Sequence, residues 1–347
     1  MKVQIDLIRA RLRAPFVSAR GSLTDRPLVL VGVEDEDGFI GLGEAAPLAD
    51  YHGVNVEDVL ESLVACRDIL AGAPPGAARQ DVLSEWRRVA VVPAVAAIDM
   101  ALWDLEGRRA GEPVWRLIGA SAAEAVEVNQ TIAEADRAGA AAQAGAARVA
   151  GFRCVKAKVG LGDDAGRLAA VRAAAGPEVA IRLDANGAWS VEEAIATLRV
   201  LAPVGIELCE EPVHGLEQTR SVSSAVPEVG IALDETASGA GALEDRVCRA
   251  VCLKIVACGG ITGLLDATFR ARAAGYEVYL ASTLDGPLGI AAALHAAAVI
   301  RPDHPCGLAT LGLFAGREDP LPPHGGRISV PSGAGLGAGL EAWYRRG

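Results

Sequence analysis

Apolar and polar residues alternate through VQIDLIRARL near the start of the chain. A period of two predicts a half-buried strand. PLVLVGVEDEDGFIGLGEA predicts two more strands, joined by a turn at Glu36, Asp37 and Gly38. The period then lengthens. NVEDVLESLVACRDIL carries apolar residues at helical spacing behind Asn55, a side chain suited to capping. PAVAAIDMALWDLEGRRAG opens on Pro93 and stops between Gly107 and Gly111, as helices do. Strands first and helices next predict an α+β domain over residues 1–122.

From Val126 the pattern changes. The short apolar runs AVEVNQT, CVKAKVG, VAIRLDA, IELCEEP, GIALDE, VCLKIVA, EVYLAST and CGLATLG follow one another. Between them lie Ala-rich amphipathic stretches such as DRAGAAAQAGAARVAG and GITGLLDATFRARAAG. Strand alternating with helix for this long predicts parallel βαβ units, an α/β fold closed into a barrel over 123–313. The tail 314–347 is rich in Gly and Pro and predicts an extension returning to the first domain.

Composition narrows the function. The 347 residues are 51% hydrophobic and 22% charged, which excludes wholesale disorder. A net charge of -11 argues against binding nucleic acid. No uncharged apolar run reaches the length that spans a bilayer, which argues against a membrane protein. The opening MKVQIDLIRARLRAPF lacks a signal-peptide pattern, so the cytoplasm is the expected compartment. Seven widely spread cysteines read as buried thiols. Cys248 and Cys252 have a metal-like spacing but no partner pair nearby.

Against that background five charges stand out. Lys158 to Asp184 is 26 residues, Asp184 to Glu210 is 26, Glu210 to Asp234 is 24 and Asp234 to Lys254 is 20. One βα unit has about that length, and each residue ends an apolar run. Residues at strand C-termini of a parallel barrel share one mouth. Three carboxylates pointing into one pocket repel, and a hard divalent cation removes the conflict. Singly, each acid reads equally well as a solvated strand end. Lys156 and Lys158, two apart, share a strand face with Val155, Ala157 and Val159 packing outward. Lys254 lies inside AVCLKIVA, where burial would lower its pKa and make it a base. The plainer readings are a salt bridge from Lys158 to Asp184 and a Lys254 that snorkels out. Together the parts suggest one chemistry: a metal binds a substrate carboxylate, one lysine removes the α-proton, and the enediolate is held between metal and second lysine.

GLGEAAPL, AIDMALWDLEGRRAGEPVWRLIG, KAK, DANG, EEP, LDE, LKI and GGITG occur in that order over nearly the whole chain. In this the chain resembles the enolase superfamily, in its muconate-lactonizing-enzyme subgroup. The resemblance implies an α+β capping domain on a (β/α)7β barrel and a small-molecule carboxylate substrate. It implies Mg²⁺, or Mn²⁺, held by Asp184, Glu210 and Asp234. It implies Lys158 and Lys254 as acid/base residues on opposite faces of the substrate, with Lys156 assisting and Asn186 and Glu235 in the binding set. The family commonly has Gln after the ligand glutamate, where this chain has Glu211, so two glutamates compete for that role. Barrels of this family often assemble, so a homo-oligomer is compatible.

Within the family, His295 in AAALHAAAV reads as a packed helix residue, which argues against a His-based acid-sugar dehydratase. Dipeptide epimerases carry Asp-x-Asp on the last strand to grip an ammonium group, where GLATLGLF has no acid. STLDGPLGIAAALH and CGLATLGLF are most similar to o-succinylbenzoate synthases. That similarity implies syn-dehydration, with Lys158 removing the α-proton and Lys254 stabilising the enediolate. Ser282 and Thr283 are placed to contact substrate. Loops around Ser18 to Thr24 and Asp50 to Gly53, with Tyr51 and His52, are expected to close the mouth. N-acylamino acid racemization, dipeptide epimerization and muconate-type cycloisomerization remain alternatives. A Schiff-base aldolase built on Lys254 or a non-catalytic barrel would be of a different class.

Overall fold

The alternating start forms β1 (Lys2–Ser18), which pairs antiparallel with β2 (Gly21–Glu34), and β2 pairs with β3 (Ile40–Ala45). The computed structural model describes residues 1–345 except 19–20, 66, 72–80, 83, 85–87, 89, 135 and 161. Helices α1 (Ala49–His52), α2 (Val56–Ala65), α3 (Arg67–Ala71) and α4 (Val92–Ala110) follow. The Asn55 cap forms as predicted: its Oδ1 accepts from the Asp58 amide, and the Asp58 carboxylate accepts from the Asn55 amide, both at 2.9 Å.

Val29, Val31 and Val33 of β2 pack with Ile98, Ala101 and Leu105 of α4 in one buried cluster. Each of the Val, Ile and Leu side chains contributes about 1.5–3 kcal/mol when fully buried. The glycines of GLGEA permit this packing. A Cβ on Gly41 would lie 2.0 Å from the Ala101 carbonyl oxygen, and one on Gly43 would lie 1.9 Å from that of Ala97. Strand β3 therefore rests on the helix backbone itself.

After α5 (Val114–Leu117) and the short β4 (Val126–Glu127), seven parallel strands form one curled sheet. They are β5 (Gln130–Ile132), β6 (Cys154–Lys158), β7 (Ala180–Asp184), β8 (Ile206–Glu210), β9 (Gly230–Leu233), β10 (Ala250–Lys254) and β11 (Glu277–Ala281), adjacent in chain order. The predicted eighth strand CGLATLG does not form. Among the described residues, Cys306 and Gly307 bridge the sheet edges, to Val128 and Ala281. The Cys306 amide donates to the Glu127 carbonyl (2.8 Å) and the Gly307 amide to that of Leu280 (2.7 Å). The backbone then turns, with the Thr310 amide on the Leu308 carbonyl at 2.9 Å, into a 3₁₀ turn at Leu311–Leu313.

The tail touches both parts of the molecule. Phe314 bridges Leu12, Gly335 bridges Pro113, and Arg327–Ile328 pairs with β4. At the seam between the two parts, Arg26 of β2 donates to the carbonyls of Thr283 (3.0 Å), Ala46 (2.7 Å) and Pro47. Glu44 accepts from the Gly286 amide (2.7 Å) and from the Tyr344 hydroxyl. The six described cysteines are free thiols, five of them buried; Cys66 lies outside the described residues. Among the described residues no helix is long and apolar enough to cross a membrane.

Candidate active site

Strand alternation builds the site. Lys156 and Lys158 of β6 point into the cavity, while Val155 and Ala157 are wholly buried on the other face. Register places Lys158 opposite Asp184, and Asp184 opposite Glu210. Asp234 follows β9 and Lys254 ends β10. One carboxylate oxygen from each of Asp184, Glu210 and Asp234 lies within 4.8 Å of the others. All three acids are 1–2% exposed.

Lysines hold this buried negative charge together. Lys158 Nζ donates to Asp184 (2.7 Å) and to Asn186 Oδ1 (2.8 Å). Lys156 Nζ sits 2.8 Å from Asp184 and also contacts Glu210. Lys254 Nζ donates to Asp234 (2.7 Å) and lies 3.8 Å from the centroid of the Tyr51 ring, whose hydroxyl donates to Asp234 (2.6 Å). Burial alone would raise the Asp184 carboxyl, but the Lys156 and Lys158 charges outweigh it and hold it well below the usual range. Burial pulls the Lys254 ammonium down, yet the charge of Asp234 prevails and the net shift is upward. This corrects the expectation of a lysine made basic by burial alone. It also disfavours a free-amine Schiff-base nucleophile.

The trio fits a divalent cation. Buried oxygens this close need positive charge among them, and here three ammonium groups supply it. The donors are hard carboxylate oxygens, and the cavity beside them leaves room for water or substrate, as Mg²⁺ requires. Among the described residues no other group of three His, Cys, Asp or Glu side chains comes close enough to share an ion, so Cys248 and Cys252 form no such site.

The competition between the two glutamates resolves by geometry. Glu211 turns away at φ 39 and accepts from the amides of Asp234 (2.8 Å) and Thr236 (3.0 Å). Its carboxylate braces the loop after β9, and Glu210 alone joins the trio. Asn186, also left-handed at φ 47, links Lys158 to Glu235 through its Nδ2 (3.2 Å). Burial, then the Asp234 charge, pushes the Glu235 carboxyl up to about 7.

The cavity holds about 220 Å³. Phe16, Ser22, Leu23, Leu48 and Tyr51 from the first domain line it; of these, Ser22, Leu23 and Tyr51 fall in the loops named above. The side chains of Ser18, Asp50 and His52 lie outside the described residues. Ser282 lines the cavity and pairs with Thr310 (2.9 Å). Thr283 also lines it, but its hydroxyl is taken by Asp285 (2.7 Å) and its carbonyl by Arg26, so it anchors the seam as well. His295 is packed, not catalytic: it accepts from the Trp115 amide (3.1 Å) at Nδ1 and contacts the Leu336 carbonyl (3.1 Å) through Nε2.

Two groups escaped the sequence reading. Tyr279 of β11 donates its hydroxyl to Glu210 (2.7 Å), with the Arg182 guanidinium 4.2 Å from its ring centroid. Alternation with Ala281 would have pointed it inward. Asn129 lines the cavity from the link between β4 and β5.

Residues 139–343 match the family model "Enolase C-terminal domain-like", and residues 2–119 match "Mandelate racemase / muconate lactonizing enzyme, N-terminal domain". The chain is 29% identical to a D-Ala-D/L-Ala epimerase of Cytophaga hutchinsonii, over 99% of this chain and 97% of that protein. It is 28% identical to an N-succinyl-L-Arg/Lys racemase of Bacillus cereus, over 85% and 83% respectively. It superposes on the Cytophaga hutchinsonii dipeptide epimerase complexed with Mg and the dipeptide D-Ala-L-Val, with a TM-score of 0.87 and 28% identity, covering 98% and 97% of the two chains. These relatives are isomerases. They do not support the expected o-succinylbenzoate synthase-like dehydration, and they favour the epimerase and racemase alternatives.

Proposed function

This chain belongs to the mandelate racemase / muconate lactonizing enzyme family and is an enzyme of the enolase superfamily, and on that premise we propose an epimerase or racemase. The reaction is proton exchange at the carbon α to a carboxylate of a small N-substituted amino acid. One observation carries this reading: Lys158 and Lys254 end strands on opposite flanks of the acid trio. A carboxylate held toward the trio sets its α-carbon between two amines. One amine removes the proton from one face and the other returns it from the opposite face. Residues that serve dehydration serve this exchange equally, and similarity to epimerases and racemases is what supports exchange.

Asp184, Glu210 and Asp234 would hold Mg²⁺ (or Mn²⁺). When bound, the ion would supply positive charge beside the substrate carboxylate and would offset the Asp234 charge that raises the Lys254 ammonium. Lys156 neutralises charge between Asp184 and Glu210. Asn186 orients Lys158, and Tyr51 orients Asp234 and covers Lys254. Glu235, Ser282 and Thr283 complete the substrate-facing wall. On this reading the chain divides into a capping domain (1–122), a barrel domain built on the seven-stranded parallel sheet (123–313) and an extension (314–347).

The test is α-proton exchange in D₂O with added Mg²⁺, followed by NMR on dipeptides and N-acylamino acids. Exchange with inversion is the expected result. No exchange in any compound, with metal shown to bind, overturns the reading.

A further inference from the structure

The cavity wall facing the trio differs from the rest. Around the sheet, acids belong to β7, β8 and the end of β9, and lysines end β6 and β10 on either side. The remaining arc runs through β11, Cys306–Gly307 and β5. It contributes Asn129, Thr131, Ala281, Ser282, Gly307 and Thr310 to the cavity, none of them ionisable.

Asn129 is the exceptional member. Its side chain is 2% exposed, yet neither Oδ1 nor Nδ2 has a protein partner. A buried carboxamide left this way is unfavourable unless something else completes it. It offers one acceptor and two donors, the complement of a second amide. Gly307 keeps the approach open, since a Cβ there would sit 3.6 Å from Asn129 Oδ1 and 3.1 Å from Ala281 Cβ.

We propose that Asn129 reads a neutral amide on the substrate nitrogen, and that the group beyond this amide carries no ammonium. The inference rests on the proton-exchange reading above. With the carboxylate toward the trio and the α-carbon between the lysines, the nitrogen substituent faces the uncharged arc. An ammonium placed there leaves water for a wall that, among the described residues, has no carboxylate to receive it. Similarity to enzymes named for dipeptides therefore does not extend to a free amino terminus.

N-propionyl-L-leucine and L-alanyl-L-leucine share a skeleton and differ by one ammonium group. The enzyme with Mg²⁺ is given this pair, and the same pair built on glutamate and on lysine. Exchange of the α-proton is read by NMR. The propionyl compounds are expected to show kcat/KM about tenfold higher or more. Asn129→Ala raises KM about tenfold more than it lowers kcat. The isosteric Asn129→Asp, folded by circular dichroism, moves the preference toward the alanyl compounds. Equal or better turnover of alanyl compounds by the wild type overturns the proposal, as does an unmoved KM in both variants. Absence of exchange in every compound instead removes the proton-exchange reading, and this inference with it.

Discussion

At the barrel mouth, Asp184 is buried as an ion beside two lysines. At the seam, Glu44 and His295 are buried just as deeply and are held neutral. Burial, then Asp285, pushes the Glu44 carboxyl up to about 8. Burial pushes the His295 imidazole down to about 4. The seam sets its polar groups mainly on backbone: Arg26 on three carbonyls, Glu44 on the Gly286 amide beside the Tyr344 hydroxyl, His295 on Trp115 and Leu336. The mouth sets charge against charge, an arrangement that rarely stabilises a fold more than apolar packing would. The contrast separates groups that hold the two parts together from groups kept charged for chemistry.

The largest expected effect tests that separation. Lys158→Ala and Lys254→Ala should each lower the epimerization rate about a thousandfold or more. Each should leave the urea midpoint near that of the wild type, because the partner acids can bind a cation instead. If either variant unfolds while residual activity follows the folded fraction, the lysines belong with the seam groups and the comparison fails.

The seam should show the reverse, and pH exposes it. An unfolded His295 takes its proton near pH 6.5, and the folded one only near 4. The unfolded chain therefore binds more protons between these values, and stability falls as pH drops through that window. The size is about 3 kcal/mol for 2.5 units. Glu44 works in the opposite sense, its contribution fading as pH rises from 4.5 toward 8. His295→Gln should flatten the acid limb of urea midpoints between pH 6.5 and 4 relative to wild type, with kcat at pH 8 little changed. An unaltered slope would place the acid sensitivity elsewhere.

Much of this was legible in sequence. Strand ends 20–26 residues apart located the charges, because a βα unit has a narrow length and a parallel barrel has one mouth. The Asn55 cap and the turn after Glu34 followed from local chemistry. What escaped depended on packing between distant segments. Only the opposite edges of the curled sheet bring Asn129 beside Gly307, 178 positions apart (307 − 129). The sheet edges are joined at Cys306–Gly307 by a segment too short for its alternation to be read as a strand. Dehydration and proton exchange share their lysines, so residue identity alone favoured a dehydratase branch that the relatives do not support.

The smallest expected effect concerns a neutral side-chain donor that reaches the acid trio from β11. The Tyr279 hydroxyl bonds Glu210, and burial followed by the Glu210 charge keeps that phenol protonated, well above its usual range. Arg182 lies over the ring and donates to the Pro305 carbonyl (3.1 Å), so the phenol is clamped from the barrel floor. Its hydroxyl fixes one carboxylate oxygen of Glu210 while Lys156 takes the other. Tyr279→Phe removes this single bond and keeps the ring on Arg182. Glu210 then gains rotational freedom, and Mg²⁺ affinity, measured by calorimetry without substrate, should weaken about tenfold. A role confined to packing would lower the melting temperature and leave the metal affinity where it was.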